Sequence, residues 1–195
     1  LAVGGIFCAA ASGTYLVNDV IDVEADRHHP RKRHRPIASG ALGEVPALII
    51  GISLLALAIS TAWLLAGITL LGVISAYAAI TVAYTLRLKV EPVVELAAVA
   101  SGFVLRAIAG GAATHVPLSS WFLVVTSFGA LFIVTGKRVA EQRDLGDARD
   151  LHRPVLAYYT RSFLQSALTL TATATVTTYC LWAFERAGLV SEAAH

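Results

Sequence analysis

The sequence predicts an all-α, polytopic transmembrane helix bundle, and three observations support this. Its 195 residues are 56% hydrophobic and only 14% charged, whereas soluble domains carry about 25% charged residues. The mean hydropathy is +0.69. Residues 45–86 contain no Asp, Glu, Lys or Arg, a run about twice as long as the ~20 residues that a helix needs to cross a bilayer. Lipid is therefore the expected solvent for most of the chain.

Six membrane spans follow from the apolar runs. The small polar residues and the aromatic ring of Ser60–Trp63 indicate a tight turn that divides the longest run into two helices. Two further segments free of the four charged residue types are 107–136 and 162–184. The spans that we expect, apolar around their whole circumference, are 1–19, 45–62, 64–85, 92–113, 118–139 and 162–184. Small residues that allow close packing of helices recur within them: Gly102, Gly110 and Gly111.

The charged loops predict the orientation. The basic segments are Arg27–Arg35, Arg87 with Lys89, and Lys137–Arg161, whereas the alternate loops near 60–64 and 114–118 lack Lys and Arg. The positive-inside rule places basic loops in the cytoplasm. We therefore expect a multi-pass protein of the plasma membrane whose candidate site faces the cytoplasm.

Three aspartates stand at the cytoplasmic end of the first span, in the segment Asn18–Asp26. If a helix continues through this segment, Asp26 falls about 20° and Asp22 about 60° from Asp19 in projection. Like charges on one face repel one another unless cations lie between them. Hard oxygen ligands of this kind suit magnesium, which keeps several waters and takes further contacts from a phosphate-bearing substrate. The sequence therefore predicts Mg²⁺ ligands at Asp19, Asp22 and Asp26, and the alternative is a solvated helix end with scattered acids.

The basic loop that follows has two compatible interpretations. Lys32, Arg33 and Arg35 act either as a topology signal that anchors anionic lipid headgroups or as cations in a phosphate site. The histidines of this loop have a spacing that fits no regular metal site, so we expect solvated side chains at His28, His29 and His34.

A second polar cluster runs from Tyr84 to Glu95. Pro92 suits the first turn of a helix, whose N-terminus would offer N–H groups to an anion; Glu95 either belongs to that site or only offsets the helix dipole. Arg106 lies in the same helix, about 20 Å deep when counted from Pro92. An intramembrane Arg is a functional hypothesis by default, with internal pairing as the alternative. Lys137 and Arg138 either meet phosphate or mark the interface by snorkelling.

These motifs resemble those of a known family. Asn18-Asp19-x-x-Asp22-x-x-x-Asp26, with the later Lys32-Arg33-x-Arg35-Pro36, is similar to the first signature of the UbiA superfamily of membrane prenyltransferases. The segments Tyr84–Lys89, Ala100–Gly111, Gly136–Arg138 and Leu181–Arg186 resemble one branch, which transfers phosphoribosyl groups to decaprenyl phosphate in the synthesis of cell-wall arabinan.

The resemblance implies a fold, a reaction and a set of residues. The family has about nine membrane helices, so this chain of six would be a fragment, also suggested by the absence of Met, lacking one early and two late helices. Residues 1–195 would form a single integral-membrane domain. The second acidic motif usually has Asp where this chain has Glu95.

The implied reaction is a Mg²⁺-dependent transfer of 5-phosphoribosyl from phosphoribosyl diphosphate to a polyprenyl phosphate, with diphosphate released. The catalytic residues would be Asp19, Asp22, Asp26 and Lys89. Substrate-binding residues would be Asn18, Lys32, Arg33, Arg35, Tyr84, Glu95, Arg106, Lys137 and Arg138. We expect membrane lipid around the bundle and no nucleic-acid partner, and the oligomeric state stays open, a homo-oligomer included.

Two alternatives remain at this point. One is a prenyltransferase of the same superfamily that joins an isoprenyl diphosphate to an aromatic acceptor, which would share the first motif. The other is a cation transporter, which would carry its acids near the middle of the membrane.

Overall fold

Helices make up most of this computed structural model, which describes residues 2–114, 116–145 and 155–193. Short 3-10 turns cover Lys32–His34 and Leu88–Val90. The α-helices of the described residues are α1 (Ala2–Ile21), α2 (Val23–His28), α3 (Glu44–Leu86), α4 (Val94–Thr114), α5 (Ser120–Leu145), α6 (Val155–Tyr158) and α7 (Arg161–Ala193). The expected all-α bundle is therefore confirmed. Part of the third basic segment, 146–154, lies outside the described residues.

Five segments of the described chain are long and apolar enough to cross a membrane. These segments are Glu44–Leu64, Gly67–Leu86, Val94–Thr114, Ser120–Arg143 and Arg161–Ala187. They correspond to five of the six predicted spans. The remaining prediction, 1–19, coincides with α1, whose apolar character is diluted by Asn18 and Asp19 at its end.

The turn within the longest apolar run lies later than the sequence predicted. The break falls at Gly67, which has φ 68° and ψ −165°, a left-handed conformation that glycine adopts without steric cost. Ser60–Trp63 instead continues the helix, and the Thr61 hydroxyl donates a 2.7 Å hydrogen bond to the Leu57 carbonyl. Small polar residues in an apolar helix can bond back to the preceding turn in this way, so they were a weaker signal than the glycine.

The helices pack as two sub-bundles that share α4. One core joins α1, α3 and α4 through residues such as Phe7, Ile74 and Ala109. The other joins α4 to the later helices through residues such as Leu96, Val134 and Leu164. Helix α4 therefore lies where the two halves of the bundle meet.

Helices α1 and α3 approach closely at two glycines that were not among the predicted packing residues. A Cβ atom built on Gly13 of α1 would lie 2.7 Å from the carbonyl oxygen of Gly51 in α3, so the two backbones are nearly in contact there. The predicted packing glycine Gly110 instead has nothing within 4 Å of such an atom. This contact brings the polar end of α1 beside α3.

Candidate active site

The aspartate segment is a helix with one slight interruption. Helix α1 ends at Ile21, Asp22 has φ −93° and ψ 7°, and α2 begins at Val23. The i to i−4 bonds continue across the junction, because the Asp22 N–H donates to the Asn18 carbonyl at 2.9 Å and the Asp26 N–H donates to the Asp22 carbonyl at 2.8 Å. The expected helical spacing of the three carboxylates is therefore nearly kept.

Arg35 bridges the first and third aspartates. Its Nη1 atom lies 2.7 Å from Asp19 Oδ1 and 2.8 Å from Asp26 Oδ2. Lys32 Nζ lies 3.6 Å from the other oxygen of Asp26, whose side chain is only 3% exposed. A buried carboxylate needs such partners, so the basic loop supplies the cations that the acidic array required.

Asp22 faces a different cation, Lys89, which lies in the 3-10 turn between α3 and α4. The Lys89 ammonium donates a hydrogen bond to Asp22 Oδ1. Beside this pair, the buried Thr85 hydroxyl donates to the amide oxygen of Asn18 at 3.0 Å. These two contacts join segments 67 residues apart in the chain and close one end of the bundle.

The two charged segments enclose a cavity of about 190 Å³. It is lined by Asn18, Asp22, Ala25, Asp26, His29, Lys32, Arg35, Tyr84, Lys89 and Val90. Seven of these ten are predicted site residues, and Asp19 adjoins them through Arg35. The cavity combines oxygen ligands for a cation with ammonium and guanidinium groups for an anion.

The aspartate oxygens suit Mg²⁺ that is held jointly by the protein, water and a phosphate-bearing substrate. Within the described ranges, no three His, Cys, Asp or Glu side chains converge closely enough to hold one ion. Mg²⁺ commonly takes only one or two carboxylates and completes its shell with water and substrate phosphate oxygens. The aspartate oxygens at this cavity suit such shared ligation, and a closed protein cage is not formed.

The second acidic position lies in a separate, buried cluster. Glu95 is fully buried, and its carboxylate forms two hydrogen bonds with the guanidinium of Arg138, of 2.7 Å from Nε and 2.8 Å from Nη2. Arg138 also reaches Glu141 at 2.9 Å. The structure thus pairs Glu95 and Arg138 with each other, and neither lines the cavity.

Tyr159 completes this cluster from the later half of the chain. Its hydroxyl accepts a 2.8 Å hydrogen bond from the Val93 N–H and lies 3.4 Å from Glu95 Oε1. Burial raises the pKa of the Tyr159 phenol, because the ionised form would lose its hydration, and the Glu95 carboxylate acts in the same direction. The hydroxyl is therefore held as a proton donor and acceptor between two elements.

Arg106 is enclosed by aromatic rings. Its guanidinium carbon lies 5.1 Å from the ring centre of Tyr77 and 5.7 Å from those of Phe7 and Phe103. It also donates to the Gly102 carbonyl and to the Tyr77 hydroxyl, both at 3.1 Å. These contacts correspond to the internal pairing that the sequence had left open, and Arg106 does not line the cavity.

The remaining predicted residues lie outside the cavity as well. Lys137 is exposed on α5, and Arg33 is exposed in its loop, where it donates to His34 at 3.3 Å. His29, which was expected to be a solvated loop residue, instead lines the cavity. Its ring accepts backbone N–H groups of Arg31 and Lys32 at 3.2 and 3.3 Å, so it orders the basic turn. Thr85 and Tyr159 were not among the predicted site residues. Thr85 lies within the polar segment 84–95 but carries no charge, and nothing in the local sequence of Tyr159 distinguishes it.

Taken together, a helix bundle of membrane-spanning composition with a cavity of carboxylates and cations at one end defines a class of polytopic membrane proteins. Within this class, the chain belongs to the UbiA prenyltransferase family, whose family model matches residues 1–191. The resemblance noted in the sequence is thereby confirmed.

Curated relatives share much of this sequence. The chain is 48% identical over 94% of its length to decaprenyl-phosphate phosphoribosyltransferase of Mycobacterium tuberculosis strain CDC 1551 / Oshkosh, and it covers 60% of that protein. It is 46% identical over 93% of its length to the enzyme of the same name from Mycolicibacterium smegmatis and covers 57% of it. The chain thus spans less than two thirds of the relatives that it matches.

A solved structure shares the fold. It is a UbiA homolog from Archaeoglobus fulgidus bound to GPP and Mg²⁺, with a TM-score of 0.77 and 20% sequence identity, over 94% of this chain and 64% of that one. At this identity, the likeness confirms the helical architecture.

Proposed function

We propose that the protein containing this chain transfers 5-phosphoribosyl from phosphoribosyl diphosphate to a polyprenyl phosphate, decaprenyl phosphate in particular, and releases diphosphate. The product would be a lipid-linked pentose phosphate for cell-wall arabinan synthesis. The observation that carries the choice of substrates is the 48% identity to a decaprenyl-phosphate phosphoribosyltransferase over 94% of the chain. The charged cavity beside lipid-facing helices supports the same choice.

The reaction needs little covalent help from the protein. An oxygen of the lipid phosphate attacks the anomeric carbon of ribose, the bond from that carbon to the diphosphate oxygen breaks, and diphosphate leaves with the electron pair. The attacking phosphate monoester is already largely ionised at pH 7, since its second pKa is about 6. No side-chain base is required, and catalysis consists of alignment and of stabilising the charge on the leaving group.

The cavity residues have complementary roles in this proposal. Lys89, Lys32 and Arg35 would bind phosphate oxygens, and Asn18 and Tyr84 would contact the donor from the cavity wall. Asp22 and Asp26, with Asp19 behind Arg35, would hold Mg²⁺, which when bound neutralises charge developing on the departing diphosphate. The Mg²⁺ bound to the archaeal homolog supports this assignment.

The prenyl chain would lie along the apolar outer faces of the helices. Large apolar side chains are exposed on several of them, for example Ile49 on α3 and Phe163 on α7, which are 60% and 42% exposed. We place the cavity on the cytoplasmic side, where the basic loops belong by the positive-inside rule and where a water-soluble sugar diphosphate is available.

The two alternative functions, cation transport and prenyl transfer to an aromatic acceptor, differ from our proposal in where the acids lie or in which donor is used. A cation transporter would carry its acids deep in the bundle, whereas Asp22 lies just before α2 and Asp26 lies within it, beside a basic loop. A prenyltransferase acting on an aromatic acceptor would use the same carboxylates, so the donor distinguishes it from our proposal.

The test is a transfer assay with the protein in membranes. Labelled phosphoribosyl diphosphate and decaprenyl phosphate should yield a labelled lipid, whereas an isoprenyl diphosphate with an aromatic acceptor should yield no product. The opposite donor preference would refute the proposal.

A matched pair of substitutions tests the carboxylate assignment. Asp22→Asn should lower the rate at least about a hundredfold, as expected when a charge-stabilising group is lost. Glu24→Gln, two residues further on with a side chain that is 75% exposed, should leave the rate unchanged. Equal rates for the two variants would remove Asp22 from the mechanism.

A further inference from the structure

The segment between α3 and α4 positions the cavity lysine and is itself strained. Lys89 lies in the 3-10 turn Leu88–Val90, and Val93 follows with φ 66°. This left-handed conformation is unfavourable for a β-branched residue and persists only where the surroundings impose it. A contact from another part of the chain is therefore needed to keep Val93 in this conformation.

That contact comes from Tyr159, which is 66 residues away in the chain. Its hydroxyl accepts the Val93 N–H at 2.8 Å. The position of Val93 itself, just before the first residue of α4, means that its N–H has no carbonyl of a preceding helical turn to bond. One side-chain oxygen thus holds the strained residue at the entrance to the helix.

Tyr159 is itself held firmly from several sides. It is 3% exposed, and its ring stacks on Phe163 with ring centres 5.5 Å apart. Its backbone carbonyl accepts a 2.9 Å hydrogen bond from Gln142 Nε2, and its hydroxyl lies 3.4 Å from Glu95, which is paired with Arg138. These contacts fix Tyr159 within the later sub-bundle, so its hydroxyl can hold the segment between α3 and α4 in place.

We propose that Tyr159 is a positioning residue, whose hydroxyl clamps the strained backbone at Val93 and thereby holds Lys89 opposite Asp22 in the cavity. The importance of Lys89 for the reaction rests on the proposed function, but its placement by Tyr159 does not. Without the hydroxyl, the backbone at Val93 relaxes toward negative φ, and the turn that carries Lys89 moves with it.

The placement is tested by chemical labelling of lysines. The chain has three lysines, Lys32, Lys89 and Lys137, so mass spectrometry after brief reaction with an amine reagent measures Lys89 against two internal references. Tyr159→Phe should raise Lys89 labelling about fivefold, the factor expected for loss of one hydrogen bond. Tyr158→Phe, a neighbour that is 71% exposed, should leave labelling unchanged. No rise in Tyr159→Phe would overturn the proposal.

A substitution at Val93 tests whether backbone strain there underlies the effect of Tyr159. Glycine adopts a positive φ without steric cost, so in a Val93→Gly background the effect of Tyr159→Phe should shrink to less than about twofold. An undiminished fivefold effect in that background would contradict the clamp. If Tyr159→Phe alone does not accumulate as folded protein, recovery of folded protein by Val93→Gly supports the clamp, and failure to recover opposes it.

The transfer assay separates this inference from the proposed function. Tyr159→Phe should raise the KM for phosphoribosyl diphosphate about fivefold and should have no further effect when Lys89 is already methionine. A general loss of structure would instead lower activity equally in both backgrounds and would refute the positioning role. If the wild type transfers no phosphoribosyl group while Lys89 labelling still responds, the proposed function fails and the positioning role stands.

Discussion

The buried pair of Glu95 and Arg138 gives the sharpest stability prediction. The two hydrogen bonds between them, of 2.7 and 2.8 Å, are charge-assisted, and each contributes about 1.5–3 kcal/mol. Arg138→Met removes both and leaves a carboxylate with no exposure to water. We therefore expect the free energy of unfolding to fall by about 3–5 kcal/mol, the usual cost of breaking a buried ion pair.

Glu95→Gln should lower the free energy of unfolding less than Arg138→Met does. In Glu95→Gln, the Arg138 guanidinium keeps its 2.9 Å contact with Glu141, and the new amide oxygen accepts one of the former bonds. The double variant leaves no isolated charge in the core, so it should be more stable than Arg138→Met alone.

The assay is denaturant unfolding in mixed micelles, followed by helix content, for the wild type, both single variants and the double variant. Lys137→Met is the matched control, since the neighbouring Lys137 is exposed; its unfolding free energy should stay within about 0.5 kcal/mol of the wild type. A cost below about 1 kcal/mol for Arg138→Met, or strictly additive effects in the double variant, would refute the reasoning.

Three further predictions concern separate parts of the molecule. Lys89→Met should raise the KM for phosphoribosyl diphosphate at least about tenfold through loss of a charge-assisted contact, whereas Lys89→Arg should retain part of the affinity; an unchanged KM in steady-state assays would count against the site. Gly13→Ala should lower stability by about 1–3 kcal/mol, because the added Cβ would meet the Gly51 carbonyl at 2.7 Å, whereas Gly110→Ala adds an atom with nothing within 4 Å; equal melting temperatures would contradict this. The raised pKa of Tyr159 means that its contribution to stability is complete below the ordinary value of about 10 and is lost as the pH rises through the folded value. The stability of the wild type should therefore fall more steeply above pH ~10 than that of Tyr159→Phe, and parallel curves would exclude the effect.

Most of the fold and the centre of the candidate site could be predicted from local patterns in the sequence. Apolar runs identified five membrane spans, because a helix needs about 20 predominantly apolar residues to cross a bilayer. The spacing of Asp19, Asp22 and Asp26 predicted one acidic helix end, whereas the ion pairs of these residues with Lys32 and Arg35 were not predicted and come from the structure. The predicted features depend on residues close in sequence, where helical geometry alone fixes the arrangement.

Contacts between residues that are distant in sequence could not be predicted in the same way. The partner of Glu95 is Arg138, 43 residues later, and helix periodicity does not say which helices become neighbours. The turn at Gly67 was predicted too early in the chain, at Ser60–Trp63, because small polar residues were taken as a stronger turn signal than glycine. Arg106 was left open because its aromatic partners Phe7 and Tyr77 come from two other helices.

The charges at the cavity also have a consequence for how ligands enter. Three aspartates face three cations there, and every carboxylate already has an internal counter-ion. These paired charges by themselves project little long-range field, so the pairs do not concentrate simple anions such as sulfate from solution. A ligand that itself carries opposite charges side by side can exchange partners with these pairs one by one. Discrimination within the cavity then depends on the spacing of charges within the ligand more than on their sum.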